Sequence, residues 1–299
     1  MRISNQWIDY ELLDISSGEK LERWGDIILI RPDPQIIWQT QKKDSRWSRY
    51  HGRYIRHHTG GGEWKFIRPI PESWNIEYNS LKFIIRPTGF KHTGVFPEQA
   101  TNWDYIYNKI KKSNKKIKVL NLFAYTGGAT LAALSAGADV CHVDSSKGMV
   151  NWAKENVKLS GFGFSNTRWI VDDCVKFIKR EARRENKYDV IILDPPSYGK
   201  GSNGQVWKLE GSLQEFLKDC FKVLSDNPLF IMINSYSKGL SVGVINYLTQ
   251  LTLQHSNLLS MQTKEDKMIN IIADEIGLKV KSTGINFPCG NTSIIEFVN

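Results

Sequence analysis

VLNLFAYTGGAT, residues Val119 to Thr130, sets the frame for the whole chain. A short apolar run, the abrupt Gly127–Gly128 pair and then Ala129, Leu131, Ala132, Ala133 and Leu134 describe a buried strand, a tight turn and a helix N-terminus. In open α/β sheets a ligand sits at such a turn, outside the carboxyl end of the strand. Glycine has no Cβ, so a ligand can come close to the backbone there.

Outward from this stretch, strands and helices alternate from Lys115 onward. The pattern predicts strands at 117–123, 138–144, 167–171, 188–193, 228–234 and 292–298. It predicts helices near 128–136, 147–160, 173–185, 208–225, 241–254 and 263–276. That alternation argues α/β: a Rossmann-like, doubly wound parallel sheet. Residues 255–276 are polar and read either as a lid or as a surface insertion. Pro97 to Lys112 has helix-start chemistry and apolar spacing at Trp103, Ile106 and Ile110, and predicts a connecting helix. The chain therefore divides into a small β-rich N-terminal domain, 1–96, and a ligand-binding domain, 97–299.

The N-terminal part carries β-type runs at Ile27–Ile30, Gln35–Trp38 and Leu81–Ile85. Its middle, Lys42 to Pro69, interleaves Lys and Arg with Trp47, Tyr50, Tyr54, Trp64 and Phe66. Cations for phosphates beside rings for bases suit a sequence-tolerant nucleic-acid surface, with Trp47 and Arg53 as candidate contacts. The competing reading is a β-meander whose aromatics form its own core. Gly60–Gly62 reads as a hairpin tip, because no helix pattern follows it.

Composition narrows the partners. The chain has 299 residues and four scattered cysteines (Cys141, Cys174, Cys220, Cys289) without metal-ligand spacing. Reduced thiols in the cytoplasm are expected, with no metal. No window approaches the ~18 apolar residues of a membrane span, so no membrane partner is expected. A net charge of +9 favours an acidic partner, nucleic acid first. A homo-oligomer stays open.

Three strand ends carry acids. Asp144 stands sixteen residues after Gly128 (128 to 144), where a carboxylate accepts from ribose hydroxyls. Its alternative role is to cap the next helix. After the third strand come Asp172-Asp173, with Asp173 assigned to adenine and Asp172 to the rim. The fourth strand runs into Asp194-Pro195-Pro196-Ser197-Tyr198-Gly199-Lys200-Gly201. There two prolines stiffen a turn whose acid and carbonyls can hold a planar amine or base edge. The glycine turn is not GxGxxG, and Phe123 and Tyr125 stand where a pyrophosphate would need small residues. Acids without a phosphate-binding lysine suit ribose, adenine and a zwitterionic tail. S-adenosylmethionine fits that description.

VLNLFAYTGG, Asp144, Asp173 and DPPSYGKG together resemble the class I S-adenosylmethionine-dependent methyltransferases. More narrowly they are similar to the bacterial family that includes the 23S ribosomal RNA large-subunit methyltransferases. Tyr10–Gly25, Arg31–Trp38 and Thr88–Gln99 share that resemblance. It implies a final antiparallel strand near 292–298 and cofactor contacts from Phe123, Ala124, Tyr125, Thr126 and Gly127. It further implies ribose at Asp144, adenine at Asp173, a catalytic face at Asp194, Pro195, Pro196 and Tyr198, and a pocket wall at Phe96 to Gln99. The product would be S-adenosylhomocysteine.

One departure bears on the substrate. Relatives that methylate carbon 5 of cytosine place a cysteine after the fifth strand, because that carbon needs thiolate addition first. The corresponding turn here is Asn234-Ser235-Tyr236-Ser237, without a thiol. The expectation is methyl transfer to a base nitrogen in RNA, ribosomal RNA favoured. Tyr236 and Tyr198 would be an aromatic floor or wall packing. Lys200 and Lys208 would be phosphate contacts or a solvated loop. A small-molecule or protein amine, and a non-catalytic binding protein, are the competing functions.

Overall fold

The computed structural model describes residues 1–57, 61–200, 206–256, 258 and 268–298. Strand β1 (Arg2–Ser4) comes first, followed by β2 (Tyr10–Ser16), β3 (Glu19–Trp24), β4 (Ile27–Pro32), β5 (Gly52–Arg56) and β6 (Gly62–Phe66). Strands β2 to β6 make one five-stranded sheet in chain order, and β7 (Trp74–Tyr78) pairs with β8 (Leu81–Ile85) as a hairpin. Alternate burial along β7 and β8 turns Ile76, Tyr78, Leu81, Phe83 and Ile85 inward.

The run Gln35–Trp38, read as β-type, forms no strand. Asp33 accepts from Gln35 N–H through its side chain, and Gly18 and Ser17 donate to the Ile36 and Trp38 carbonyls. Ile36 is buried by this turn, which accounts for its apolar signal. The β5–β6 hairpin is present, with Arg56 opposite Gly62; Gly60 lies outside the described residues.

A 3₁₀ turn at Pro97–Gln99 leads into α1 (Ala100–Lys111), which buries Trp103, Ile106 and Ile110 as their spacing requires. Then come β9 (Lys118–Leu122), α2 (Gly128–Ser135), β10 (Asp139–Asp144), α3 (Lys147–Leu159), β11 (Thr167–Val171) and α4 (Cys174–Arg183). The chain continues through β12 (Val190–Leu193), a hairpin of β13 (Tyr198–Lys200) and β14 (Val206–Lys208), and α5 (Leu209–Phe221). It ends with β15 (Phe230–Ser235), α6 (Val242–Gln254), β16 (Met268–Lys279) and β17 (Asn286–Val298). The helix expected at 263–276 is corrected: residues 259–267 lie outside the described residues, and Met268 onward is strand β16. Alternating burial along Met268–Ala273 is the period-two signal that a helical reading overlooked.

The large sheet has the order β1-β16-β17-β15-β12-β9-β10-β11. β10 and β12 flank β9 in parallel, while β17 runs antiparallel to both β15 and β16. The chain winds outward from β9 through β10 to β11, then returns to β9's other side at β12. That reversal is a topological switch point, where neighbouring loops part and leave a crevice at the strand ends. β1, from the start of the chain, pairs in parallel with β16 and so lies in this sheet.

Candidate functional site

The crevice opens beyond the carboxyl ends of β9 and β12. Its walls are largely apolar (Phe83, Trp103, Ile106, Ile192, Met232), with Asn121, Asp194 and Asn234 among its few polar groups. Apolar walls with few placed polar groups are what a small-ligand site requires.

The β9–α2 turn is a folded clasp. Phe123, Tyr125 and Gly127 all have positive φ, at 56°, 50° and 87°. For the two aromatic residues this is a costly backbone region, held by the surroundings. Phe123 N–H points to Cys174 Sγ at 3.2 Å, Ala124 N–H donates to the Val143 carbonyl at 3.1 Å, and Gly127 N–H to the Ala124 carbonyl at 3.0 Å. Thr126 donates to the Gly94 carbonyl, and Asn156 donates to the Thr126 carbonyl at 2.9 Å. Asn156 also accepts from Ile84 N–H at 2.9 Å, so one buried amide fastens the clasp to β8. At Gly94 (φ 110°) a Cβ would lie 2.4 Å from the Trp152 ring, and at Gly128 a Cβ would lie 2.6 Å from Trp103. Both glycines let walls of the site close.

Asp144 sits half-buried at the end of β10. One carboxylate oxygen accepts from Tyr125 N–H at 2.9 Å and the other from Ser146 N–H at 2.8 Å. The α3 cap falls to Ser146, which accepts from Met149 N–H. Each oxygen of Asp144 keeps acceptor capacity for a further donor. Burial pushes its pKa up, against those two backbone hydrogen bonds.

At the end of β11 both acids have partners within the fold. Asp173 caps α4, accepting from Lys176 N–H at 2.9 Å, while Asp172 accepts from Asp173 N–H and pairs with Arg180. Capping uses one oxygen of Asp173; the other stays available.

Asp194, after β12, is different. Among the described residues no hydrogen bond reaches its carboxylate, and desolvation with the nearby charge of Glu98 pushes it up to about 7. Buried Glu98 likewise has no hydrogen-bond partner among the described residues. Of the two prolines, Pro196 presents its carbonyl to Trp207 Nε1 at 2.7 Å and is thereby taken.

Tyr236 stands beside Phe96 and Gln99. Its hydroxyl accepts from Gln99 Nε2 at 2.9 Å, and its ring centroid lies 5.7 Å from that of Phe96, which in turn lies 5.5 Å from Tyr125. Asn102, which the sequence reading missed, organises the floor. Its amide nitrogen donates to Gln99 Oε1, Asn234 Oδ1 and Thr292 Oγ1 at 2.8–3.0 Å, and its oxygen accepts from Arg2. Thr292 also donates to Asn234 Oδ1, so only the Asn234 amide nitrogen remains for a ligand. An inward-facing polar residue on α1, at 102 beside apolar 103 and 106, was the available signal.

Other candidates lie elsewhere. Trp47 donates to Asp14 at 2.7 Å and packs on Leu13, Leu21, Ile28 and Ile30. Arg53 pairs with Glu19 at 2.7 Å. Both serve the β-rich sheet, the competing reading of that stretch. Tyr198 is 54% exposed on the β13–β14 hairpin, opposite Lys208 and out of contact with Tyr236, so the two do not form one aromatic floor. The side chain of Lys200 lies outside the described residues.

The comparisons agree with this geometry. Residues 38–220 match the family described as S-adenosylmethionine-dependent methyltransferase. The chain belongs to that family. A solved structure of an S-adenosylmethionine-dependent methyltransferase from Agrobacterium tumefaciens is similar at a TM-score of 0.89 and 34% identity, covering 98% of this chain and 92% of that one. Ribosomal RNA large subunit methyltransferase K/L of Shewanella frigidimarina is 35% identical over 164 residues, 54% of this chain and 22% of that protein. Ribosomal RNA large subunit methyltransferase I of Aeromonas salmonicida is 34% identical over 126 residues, 42% and 31% of the two lengths. The methyltransferase thus spans less than a third of these curated relatives. Its cofactor is S-adenosylmethionine, and the fold is the Rossmann-like sheet with an antiparallel final strand. No helix among the described residues is long and apolar enough to cross a membrane.

Proposed function

We propose that this methyltransferase acts on a base nitrogen in RNA, ribosomal RNA first, in the cytoplasm and without a cysteine nucleophile. The carrying observation is Asp194: a carboxylate at the switch-point crevice without a hydrogen-bond partner among the described residues, pushed up to about 7. The clasp residues Phe123, Ala124, Tyr125, Thr126 and Gly127, with Phe96 beside them, would hold the cofactor, with Asp144 on ribose and Asp173 on adenine. S-adenosylmethionine supplies an already activated sulfonium methyl, so the protein's part is alignment. Asp194, with the Pro195 carbonyl, would orient the nitrogen's lone pair and take the proton released by transfer. Tyr236 and Phe96 would stack the base.

The thiols support the choice of nitrogen. All four cysteines are buried, and burial raises Cys141 to about 11 and pushes Cys174, Cys220 and Cys289 up as well. Raised thiols supply little thiolate at neutral pH. The relatives named for ribosomal RNA, and a net charge of +9, favour RNA.

A second reading has its own observation. Glu98 and Asp194 are neighbouring carboxylates without partners among the described residues, an arrangement that also suits a cationic small-molecule or protein amine. Incubation with methyl-labelled cofactor and total RNA from a strain lacking the protein, followed by nucleoside mass spectrometry, separates the two. A labelled N-methyl nucleoside is expected. Labelled 5-methylcytosine would overturn the nitrogen assignment, and label only in protein or small amines would favour the second reading.

A further inference from the structure

The basic aromatic stretch divides in space, and the half turned away from Trp47 carries an unused surface. Opposed residues of β5 and β6 share one face of their sheet: Tyr54 with Trp64, Gly52 with Phe66, and Arg56 with Gly62. Trp64 and Phe66 stack nearly parallel, 13° apart with centroids at 5.9 Å. Phe66 is 44% exposed, and its ring lies over Gly52, where a Cβ would fall 2.6 Å away. Trp64 Nε1 donates to the Phe90 carbonyl at 3.1 Å, and Tyr54 donates to the Gly89 carbonyl at 3.2 Å. These bonds fix both rings and moor the loop carrying Phe90, whose own ring is 68% exposed.

The same loop brings a cation. Among the described residues Lys91 Nζ reaches only the Pro32 carbonyl, at 3.3 Å. Its neighbours Arg31 and Lys20 each have a carboxylate, Glu22 at 2.5 Å and Asp33 at 3.3 Å. Among the described residues none pairs with Lys91. Burial and the charges of Lys20, Arg31 and Arg56, against Asp33, lower Lys91 to about 8. A cation so placed gains from an arriving anion. Next in the chain, His92 sets its ring 4.9 Å from Phe96 at the crevice mouth.

Exposed Phe66 and Phe90 flanking half-buried Trp64, beside cations without a carboxylate partner among the described residues and leading to the crevice mouth, match single-stranded nucleic acid. We propose that Trp64, Phe66 and Phe90, with Arg56 and Lys91, form a strip that binds single-stranded RNA beside the target nucleotide. Bases lie on the rings, a phosphate sits at Lys91, and the strand is led past His92 to Phe96. This rests on the RNA reading above.

The test uses the full chain, a short fluorescein-labelled single-stranded RNA of mixed sequence and fluorescence anisotropy at neutral pH. Cofactor affinity is followed in parallel by calorimetry. Phe90→Ala and Phe66→Ala should each weaken RNA binding about five- to thirtyfold, with Phe66→Tyr restoring it and Phe66→Leu not. Lys91→Gln should reduce the salt dependence of binding by about 0.7 in slope. Cofactor affinity should hold throughout, which shows the crevice intact. If the unaltered protein binds RNA and the variants bind as well as it does, the strip is wrong and the RNA reading stands. If an RNA duplex binds as tightly as the single strand, stacking on the strip is wrong. If the unaltered protein neither binds RNA nor labels any nucleoside, both fall together.

Discussion

The ends of β10 and β12 each carry one aspartate, the first bonded to the clasp and the second in the crevice wall, and the protein treats them differently. Asp144 is bonded through both oxygens, to Tyr125 N–H and Ser146 N–H, and is part of the clasp's own framework. Asp194 receives no hydrogen bond among the described residues, faces Glu98, and is pushed up to about 7. Two hydrogen bonds to the charged form stabilise a carboxylate and fix its direction, whereas desolvation beside a like charge leaves one ready to change protonation state. The first suits a permanent acceptor for a bound molecule. The second suits a group that handles a proton.

The largest expected effect breaks that division at its reactive end. Asp194→Ala should lower methyl transfer at saturating cofactor by about 10²–10⁴-fold, as removal of a positioned proton acceptor does. Cofactor affinity, measured by calorimetry, should change far less. Equal losses in both would place Asp194 in cofactor holding and erase the contrast. Asp144→Ala should do the reverse, weakening cofactor binding while transfer at saturation is largely kept. The expected loss is about 10–100-fold, since Tyr125 N–H is left unpaired and a ligand acceptor is gone together. A transfer defect that saturation does not repair would break the comparison from the other side.

Smaller again is the effect at the anchor. Asn156→Ala removes the buried amide that ties Thr126 to Ile84, and two backbone groups lose their partners. The expected loss is about 2–4 kcal/mol in thermal or denaturant unfolding, from ~1–3 kcal/mol per buried group with partial relaxation. Asn156→Asp puts a buried carboxylate oxygen against the Thr126 carbonyl, and should be at least as destabilising as the alanine variant at neutral pH.

These residues also mark how far the sequence carries. The sheet was legible because its strands are near-continuous apolar runs and its turns carry Gly127 or Pro195, signals that act locally. Asp144 and Asp194 were legible because strand-end position alone puts them at the crevice. Asn102 and Asn156 were not, because a polar residue on a helix gains its meaning from partners distant in the chain: Asn234 and Thr292 for the first, Ile84 and Thr126 for the second. The left-handed Phe123 and Tyr125 were missed since only glycine advertises that conformation. Trp47 and Trp64 show the same limit in one stretch. Both are tryptophans among cations, yet the first is turned to Asp14 and the sheet core while the second stacks with exposed Phe66. Both are half-buried; the partner each ring meets, which composition cannot express, separates them.

The smallest effect sharpens the comparison without chemistry. A fold that raises an acid's pKa favours its protonated form, so that contribution is complete below the unfolded value near 3.9 and is lost as pH rises through about 7. Asp194→Asn mimics the neutral acid and never meets the charged-state penalty. The variant should match the unaltered protein near pH 4 and become progressively more stable than it up to about pH 8. The difference should reach ~2 kcal/mol, about half of what the full rise to about 7 would give, because solvent at the crevice mouth relieves part of the desolvation. Activity of the unaltered protein should show the matching limb, with kcat/KM falling about tenfold per pH unit below 7 as the carboxylate protonates. Asp144→Asn should show a clearly smaller gain at high pH, because burial raises its pKa too but two backbone donors favour the charged form, and asparagine keeps only one of the two acceptor oxygens. If the two variants trace the same stability curve with pH, the strand ends are not differentiated, and Asp194 is one more acceptor in the clasp.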